Sequence, residues 1–449
     1  MSDGLSITAA AREAGDALAL ITRDGRYRFA DLAQFAHQRL RTLPEGHGPV
    51  TVVGSNTLQT LVTLYALLEA GRPALLLHPK LTEYEQAQDI EATRQAAATL
   101  SPDAAAIIYT SGTSGRARGA VLTRSALLAS LAASAANLGW NDDDRWLATM
   151  PLARVGGLSV ITRCLAARKP VVLSEAFDAD ALPRQLAEHR ATLLSLVPTM
   201  LVKLLDAHPA WQAPAHLRAL LLGGAPASPR LLARAAERGL PIVITYGCTE
   251  TCSQVVATPY AQRSAPAACG VGQPLAGAEL RIDARGHVLV RGPMRMAGYL
   301  GEAPMAPDAW FDTGDLGELD ATSSLHLHAR RSDLIISGGE NVYPPEVEHV
   351  LEACPGVEAA AVFGLADETW GQIVAAVVVP EPRARRADHA AALAQGLIEH
   401  LAGRLAPHKR PRRLGFMAAL PQTAAGKLDR AALAARPPQL HELHHRRPR

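Results

Sequence analysis

Cysteine is scarce in this chain: five residues, Cys164, Cys248, Cys252, Cys269 and Cys354, an odd number with no Cys-x-x-Cys pair. That usage argues against a disulfide framework and a zinc site, and a reducing cytoplasm is the expected setting. No sign of charge dominates, since 45 basic residues face 43 acidic ones for a formal net charge of +2. Composition therefore supplies no electrostatic reason to expect nucleic acid or a membrane surface as partner. No apolar run approaches a membrane span, and Met1-Ser-Asp-Gly-Leu-Ser-Ile has no basic segment leading into an apolar one, so no secretory leader is expected. A Walker A loop is absent too. The His441-to-Arg449 tail reads as a solvated terminus instead of a metal or nucleic-acid patch.

What the chain does have is apolar mass, 48% of 449 residues, enough for more than one core. From Val50 to Thr245 short apolar runs alternate with helical patterns: strands at 50–53, 74–77, 104–109, 145–150, 171–173, 192–197, 217–222 and 242–245, with helices at 58–70, 125–138, 158–167, 198–207 and 229–239 between them. This rhythm predicts layered α/β structure. The rhythm then changes. Two short strands flank the turn Asp283-Ala-Arg-Gly286, predicting an antiparallel region that closes a large domain of residues 1–330. A small α+β domain of residues 331–449 follows, with strands at 334–336, 357–364 and 373–379, helices at 345–353 and 389–405, and a hinge at Arg330-Arg-Ser-Asp333.

The most informative stretch is Tyr109-Thr-Ser-Gly-Thr-Ser-Gly-Arg-Ala-Arg118. It follows an apolar strand. Thr110, Ser111, Thr113 and Ser114 alternate with Gly112 and Gly115, so hydroxyl and backbone donors can converge on phosphate oxygens with no Cβ in the way. Arg116 and Arg118 add charge. Five further stretches are individually weak: Leu220-Leu-Leu-Gly-Gly-Ala-Pro226, Tyr246-Gly-Cys-Thr-Glu250, Trp310-Phe-Asp-Thr-Gly-Asp315, Arg330 to Pro344 with its Ser-Gly-Gly-Glu-Asn core, and Pro421 to Arg430 with Gly426-Lys427.

In this order, over about residues 104 to 430, the six stretches resemble the signature of the adenylate-forming enzymes: acyl- and aryl-CoA synthetases, adenylation domains and luciferases. The resemblance implies ATP, Mg²⁺ and coenzyme A as ligands and an AMP-forming acid–thiol ligase as activity. By position, residues 110–115 and Arg118 form the phosphate loop, and Gly223, Gly224 and Ala225 take the adenine. Tyr246 stacks on the adenine and Gly247 follows it. Thr249 contacts phosphate and Glu250 holds the metal. Asp315 and Arg330 bind the ribose, Gly338 and Gly339 line the pantetheine path, and Lys427 stabilises charge during adenylation. Arg118 stands where Lys is usual, and Ser332 where a hinge Asp or Lys is usual.

For the acid, Arg163 is the informative residue, a cation inside the otherwise apolar helix Gly157–Leu165. In a generic helix it would snorkel to solvent, whereas buried it would need an anion. Leu194-Ser-Leu-Val-Pro-Thr199 and Tyr246 to Ala257 resemble the o-succinylbenzoate-CoA ligases of menaquinone biosynthesis, whose substrate is a dicarboxylate. That resemblance implies that Arg163 meets the non-reacting carboxylate, with Ser195, Ser253 and Gln254 beside it. Ala153-Arg154 departs from the aromatic–His pair expected there. The rival readings are a ligase for another aryl or acyl acid, one that loads a carrier protein, and a non-catalytic nucleotide-binding protein. Assembly into a homo-oligomer is left open.

Overall fold

The computed structural model describes residues 3–111, 117–265, 270–337, 340–367, 370–382, 387–423 and 427–443. Among them the strands form four sheets. The largest runs 273–274, 253–257, 242–248, 219–222, 193–196, 146–148, 171–173, 18–21, 26–28 in spatial order, parallel through its centre and antiparallel at both ends. Its central strands are buried along their whole length, as Leu193–Leu196 and Ala219–Leu222 show, which is why they read as apolar runs without alternation. A five-stranded sheet is built on 50–53, 74–77 and 104–111 in parallel. No helix among the described residues is long and apolar enough to cross a membrane.

The α/β expectation holds, and several helices start where local chemistry dictates. Thr57 caps Leu58–Glu69 by accepting from the Thr60 N–H, and Gly71 in the left-handed region ends the turn that follows. Pro198 opens Pro198–Ala207 at the first helical position, where its missing N–H is not needed. Three differences from the sequence reading have physical reasons. The strand expected at 242–245 continues to Cys248, because residues 245–248 pair with 253–257. Residues 117–123 are a strand, not loop, hairpinned onto 104–111. Leu18–Ile21 is also a strand, four residues held by pairing with Val171 and Val172.

Strands 279–282, 287–291, 311–319 and 325–330 make an antiparallel sheet around the expected hairpin. Beyond the 3₁₀ turn Arg331–Asp333 lies a sheet with its own apolar cores, one around Val347, Leu351, Val362, Val378 and Leu397 and another around Phe363, Val377 and Leu433.

A buried ion network ties the large sheet to its helices. Asp144, with its side chain wholly buried, accepts from Arg218 Nε at 2.7 Å and Nη2 at 2.5 Å, from Thr192 Oγ1 at 2.7 Å and from the Asn141 N–H at 2.8 Å. Burial alone would raise this carboxyl, but Arg218 and the other donors hold it below its ordinary value. A depressed carboxylate contributes stability above its unfolded pKa that is lost as pH falls through the folded one. Asp144→Ala, which strands the Arg218 charge, should cost about 3–5 kcal/mol in urea unfolding at neutral pH, and the gap to the parent should narrow on acidification. A gap that is constant from pH 7 to pH 3 would contradict this.

Candidate active site

The parallel strands of the large sheet deliver their carboxyl ends to one cleft, the usual location of ligand sites in such sheets. Gly223 ends Ala219–Leu222, and a Cβ there would sit 2.2 Å from Thr245 Oγ1, so only glycine fits. Gly224 lies in the left-handed region at φ 80°, and Ala225 is partly buried beside it. This bare backbone edge is open to a flat group.

Next along the sheet, Ile242–Cys248 runs out of the core into the cleft, turns through the 3₁₀ residues Thr249–Thr251 and returns as Ser253–Ala257. The turn is tight. A Cβ on Gly247 would meet the Ser253 carbonyl at 1.9 Å, and Cys252 and Ser253 both hold positive φ, 50° and 101°. Non-glycine residues keep such backbone only where surrounding structure imposes it. One hairpin therefore presents Tyr246 on its outgoing limb, Thr249 and Glu250 in its turn, and Ser253 and Gln254 on its returning limb.

Tyr246 donates its hydroxyl to Asp315 Oδ2 at 2.7 Å, while Arg330 Nε pairs with Asp315 Oδ1 at 2.7 Å. Asp315 and Arg330 face each other across adjacent antiparallel strands, so sheet register brings together two residues from separate motifs. Burial raises the Asp315 carboxyl, with Arg330 acting in the opposite direction. Glu250 Oε1 accepts from Tyr299 OH at 2.8 Å and from Thr110 Oγ1 at 3.4 Å. Arg118 Nη2 is bound to both oxygens of Glu302, at 2.8 and 2.9 Å, with its guanidinium 3.4 Å from the Tyr299 ring centre. Gly112, Thr113, Ser114, Gly115, Gly338 and Gly339, and the side chain of Ser111, lie outside the described residues.

Lys427 lies near enough for the charges of Asp315 and Arg330 to act on it. The Lys427 carbonyl accepts from the Thr423 N–H at 2.7 Å, and Gln422 bridges to Leu428. Its side chain is open at the surface, yet surrounding protein and then the Arg330 charge push its ammonium below the ordinary value, against the pull of Asp315. Arg154, at the N-cap of Val155–Ala167, acts on it in the same direction as Arg330. Helix Pro229–Glu237 touches the small sheet as well: Arg230 bonds the Val357 carbonyl and pairs with Glu381 at 2.6 Å.

Arg163 does not snorkel; it is 3% exposed, because helix Val155–Ala167 packs that face against the sheet. Nη2 donates to Ser253 Oγ at 3.4 Å, and the guanidinium carbon lies 5.6 Å from the Trp146 ring, within cation–π range. Nε is buried with no hydrogen-bond partner, and no carboxylate among the described residues pairs with the group. Desolvation lowers its pKa to about 10. Ser253 Oγ is 3.5 Å from Ser159 Oγ, Trp146 Nε1 donates to Ser195 Oγ at 3.1 Å, and Gln254 Nε2 donates to Ser134 Oγ at 2.9 Å. The structure thus brings Arg163, Ser195 and Ser253 together through Trp146 and Ser159, neither of which the sequence reading singled out.

Residues 84–300 match the model of the AMP-binding enzyme family, and residues 346–427 that of the AMP-binding enzyme C-terminal domain. A 2-succinylbenzoate–CoA ligase from Enterococcus faecalis is 37% identical over 393 residues, covering 84% of this chain and 77% of that protein. The chain belongs to the AMP-binding enzyme family. Among solved AMP-binding enzymes, o-succinylbenzoate CoA synthetase from Bacillus subtilis in complex with the acyl-adenylate intermediate OSB-AMP superposes with a TM-score of 0.85 at 30% identity, covering 99% of each chain. The same Bacillus subtilis enzyme in complex with ATP and magnesium ion gives 0.82 at 29% identity, covering 96% of this chain and 99% of that one.

A buried cation with no carboxylate partner among the described residues destabilises the fold. Replacing it by an apolar side chain, Arg163→Met, should raise the unfolding free energy measured without substrate by about 1–4 kcal/mol, the range found when buried ion pairs give way to packed apolar groups. A clear loss of stability in denaturant titration would mean that Arg163 already has its partner within the fold.

Proposed function

We propose that the chain is an ATP-dependent acid–thiol ligase that adenylates o-succinylbenzoate, an acid of menaquinone biosynthesis, and transfers the acyl group to coenzyme A. The observation that carries the choice of acid is Arg163, buried and without a carboxylate partner among the described residues. A substrate with two carboxylates can leave one on Arg163 and offer the other to ATP. The names of the similar enzymes agree with this reading.

In the first half-reaction a carboxylate oxygen attacks the α-phosphorus and the bond to pyrophosphate breaks. Asp315 and Arg330 would hold the ribose, Tyr246 and Gly223 to Ala225 the adenine, and Thr110 with the rest of its loop the phosphates. Lys427 would neutralise charge on the attacking and bridging oxygens. Glu250 suits Mg²⁺, a hard ion content with one carboxylate and phosphate oxygens; when bound it screens the phosphate charge. In the second half-reaction the thiol of coenzyme A attacks the acyl carbon and AMP leaves. We infer two domains, 1–330 and 331–449, that rearrange about Arg330–Asp333, opening a path past Gly338 and Gly339. Cytoplasmic action fits the free cysteines Cys164, Cys248, Cys252 and Cys354.

A second reading is supported by Arg154, which stands where an aromatic–His pair is expected to end and adds a cation near Lys427. It is a ligase for another aryl or acyl acid. Pyrophosphate release measured over a panel of carboxylic acids decides between them: o-succinylbenzoate should be preferred, and a monocarboxylate reacting equally well would favour the second.

Arg163→Ala should lower kcat/KM for o-succinylbenzoate by about 2–5 kcal/mol and lose little further on an analogue without the ring carboxylate, because the two groups act as a pair. Equal losses on both acids would remove Arg163 from recognition. Lys427→Ala should nearly abolish pyrophosphate release while leaving thioester formation from supplied acyl-adenylate intact, since Lys427 serves one domain arrangement. Equal damage to both half-reactions would argue against alternation.

A further inference from the structure

The contacts around Glu250 extend past the motif that contains it. Its carbonyl accepts from the Met296 N–H at 2.8 Å and its Oε1 accepts from Tyr299 OH at 2.8 Å, so backbone and side chain are both pinned to the short segment 296–299. That segment is fixed in turn. Gly298 and Tyr299 pair with Val121 and Ala120 of the strand leaving the phosphate loop, and the Leu300 N–H donates to the Gly119 carbonyl at 2.7 Å. The Tyr299 ring is covered by the Arg118 guanidinium at 3.4 Å, and Arg118 is clamped by both oxygens of Glu302. Four residues thus make a line from Glu302 through Arg118 and Tyr299 to Glu250.

We propose that Tyr299 is a positioning residue for metal binding: its hydroxyl orients the Glu250 carboxylate, and Arg118, held by Glu302, fixes the ring that carries it. This rests on the reading that Glu250 is the Mg²⁺ ligand. A carboxylate on a flexible stem loses rotamer freedom when it binds an ion. Donors already directed at Oε1, from Tyr299 and more distantly Thr110, set the plane of the group beforehand, as partners behind a metal ligand commonly do. An arginine suits the supporting role better than a lysine would, because a planar guanidinium can lie on the ring and bind a carboxylate at once.

The test uses full-length enzyme with Tyr299→Phe, which keeps the ring and removes the hydroxyl, beside Glu250→Gln. Two quantities are read with ATP held constant: the Mg²⁺ concentration giving half-maximal pyrophosphate release, and the affinity for Mn²⁺ by electron paramagnetic resonance in the presence of α,β-methylene-ATP. Both constants should weaken by roughly tenfold or more in Tyr299→Phe, the usual effect of removing a partner behind a metal ligand, and saturating Mg²⁺ should restore most of the turnover. Arg118→Lys should move them in the same direction and add little in the Tyr299→Phe background. If Glu250→Gln shifts both constants and Tyr299→Phe shifts neither, or if the Arg118 and Tyr299 effects simply add, the positioning role is overturned. If neither Glu250→Gln nor Tyr299→Phe shifts either constant, the assignment of Glu250 to the metal falls first.

Discussion

A guanidinium buried without a carboxylate partner among the described residues is the constraint around which the proposed acid end of the site is organised. The fold accommodates Arg163 with weak, incomplete partners: one long hydrogen bond to Ser253 and the face of Trp146. Removing a cation from water is expensive, and neither contact offsets it fully. In the proposed reading that unsatisfied charge serves a second carboxylate on a small acid, which a monocarboxylic acid does not supply. Specificity then arises as much from the penalty on the wrong acid, which leaves Arg163 unpaired, as from attraction for the right one.

The second organising feature is the hairpin from Ile242 to Ala257. Because side chains alternate along its limbs and only residues 249–252 join them, the groups proposed to face the nucleotide and the acid are set by one piece of backbone. Gly247 permits the close return, and the positive φ values of Cys252 and Ser253 direct Ser253 toward Arg163. Strain of this kind persists only if the neighbouring sheet determines it. Here that sheet is continuous with the strand that leads into Gly223 and the strand that holds Ser195, so one sheet carries the residues proposed for the adenine, the metal and the acid.

Much of this was legible in the sequence where chemistry is local. Pro198 and Ala207 bound a helix because proline starts helices and cannot continue them, and the layered α/β class followed from alternating apolar periods. Glycine-rich strand ends such as Leu222–Gly223 were readable because close backbone approach demands that residue. What escaped was non-local. Trp146 and Tyr299 belong to no motif, and their significance lies in partners far along the chain, Ser195 and Glu250. The burial of Arg163 followed from the resemblance and not from periodicity, which marks a helix face but not what covers it. Strands Gly298–Tyr299 and Leu18–Ile21 are completed by neighbours distant in sequence, which no local pattern marks.

The most direct measurement is a crystal structure of the chain with a non-hydrolysable analogue of o-succinylbenzoyl-adenylate. The account predicts the ring carboxylate within about 2.7–3.2 Å of the Arg163 guanidinium nitrogens, with Ser253 alongside and the ribose hydroxyls on Asp315. A ring carboxylate facing solvent or Lys427, with Arg163 still unpaired, would contradict it.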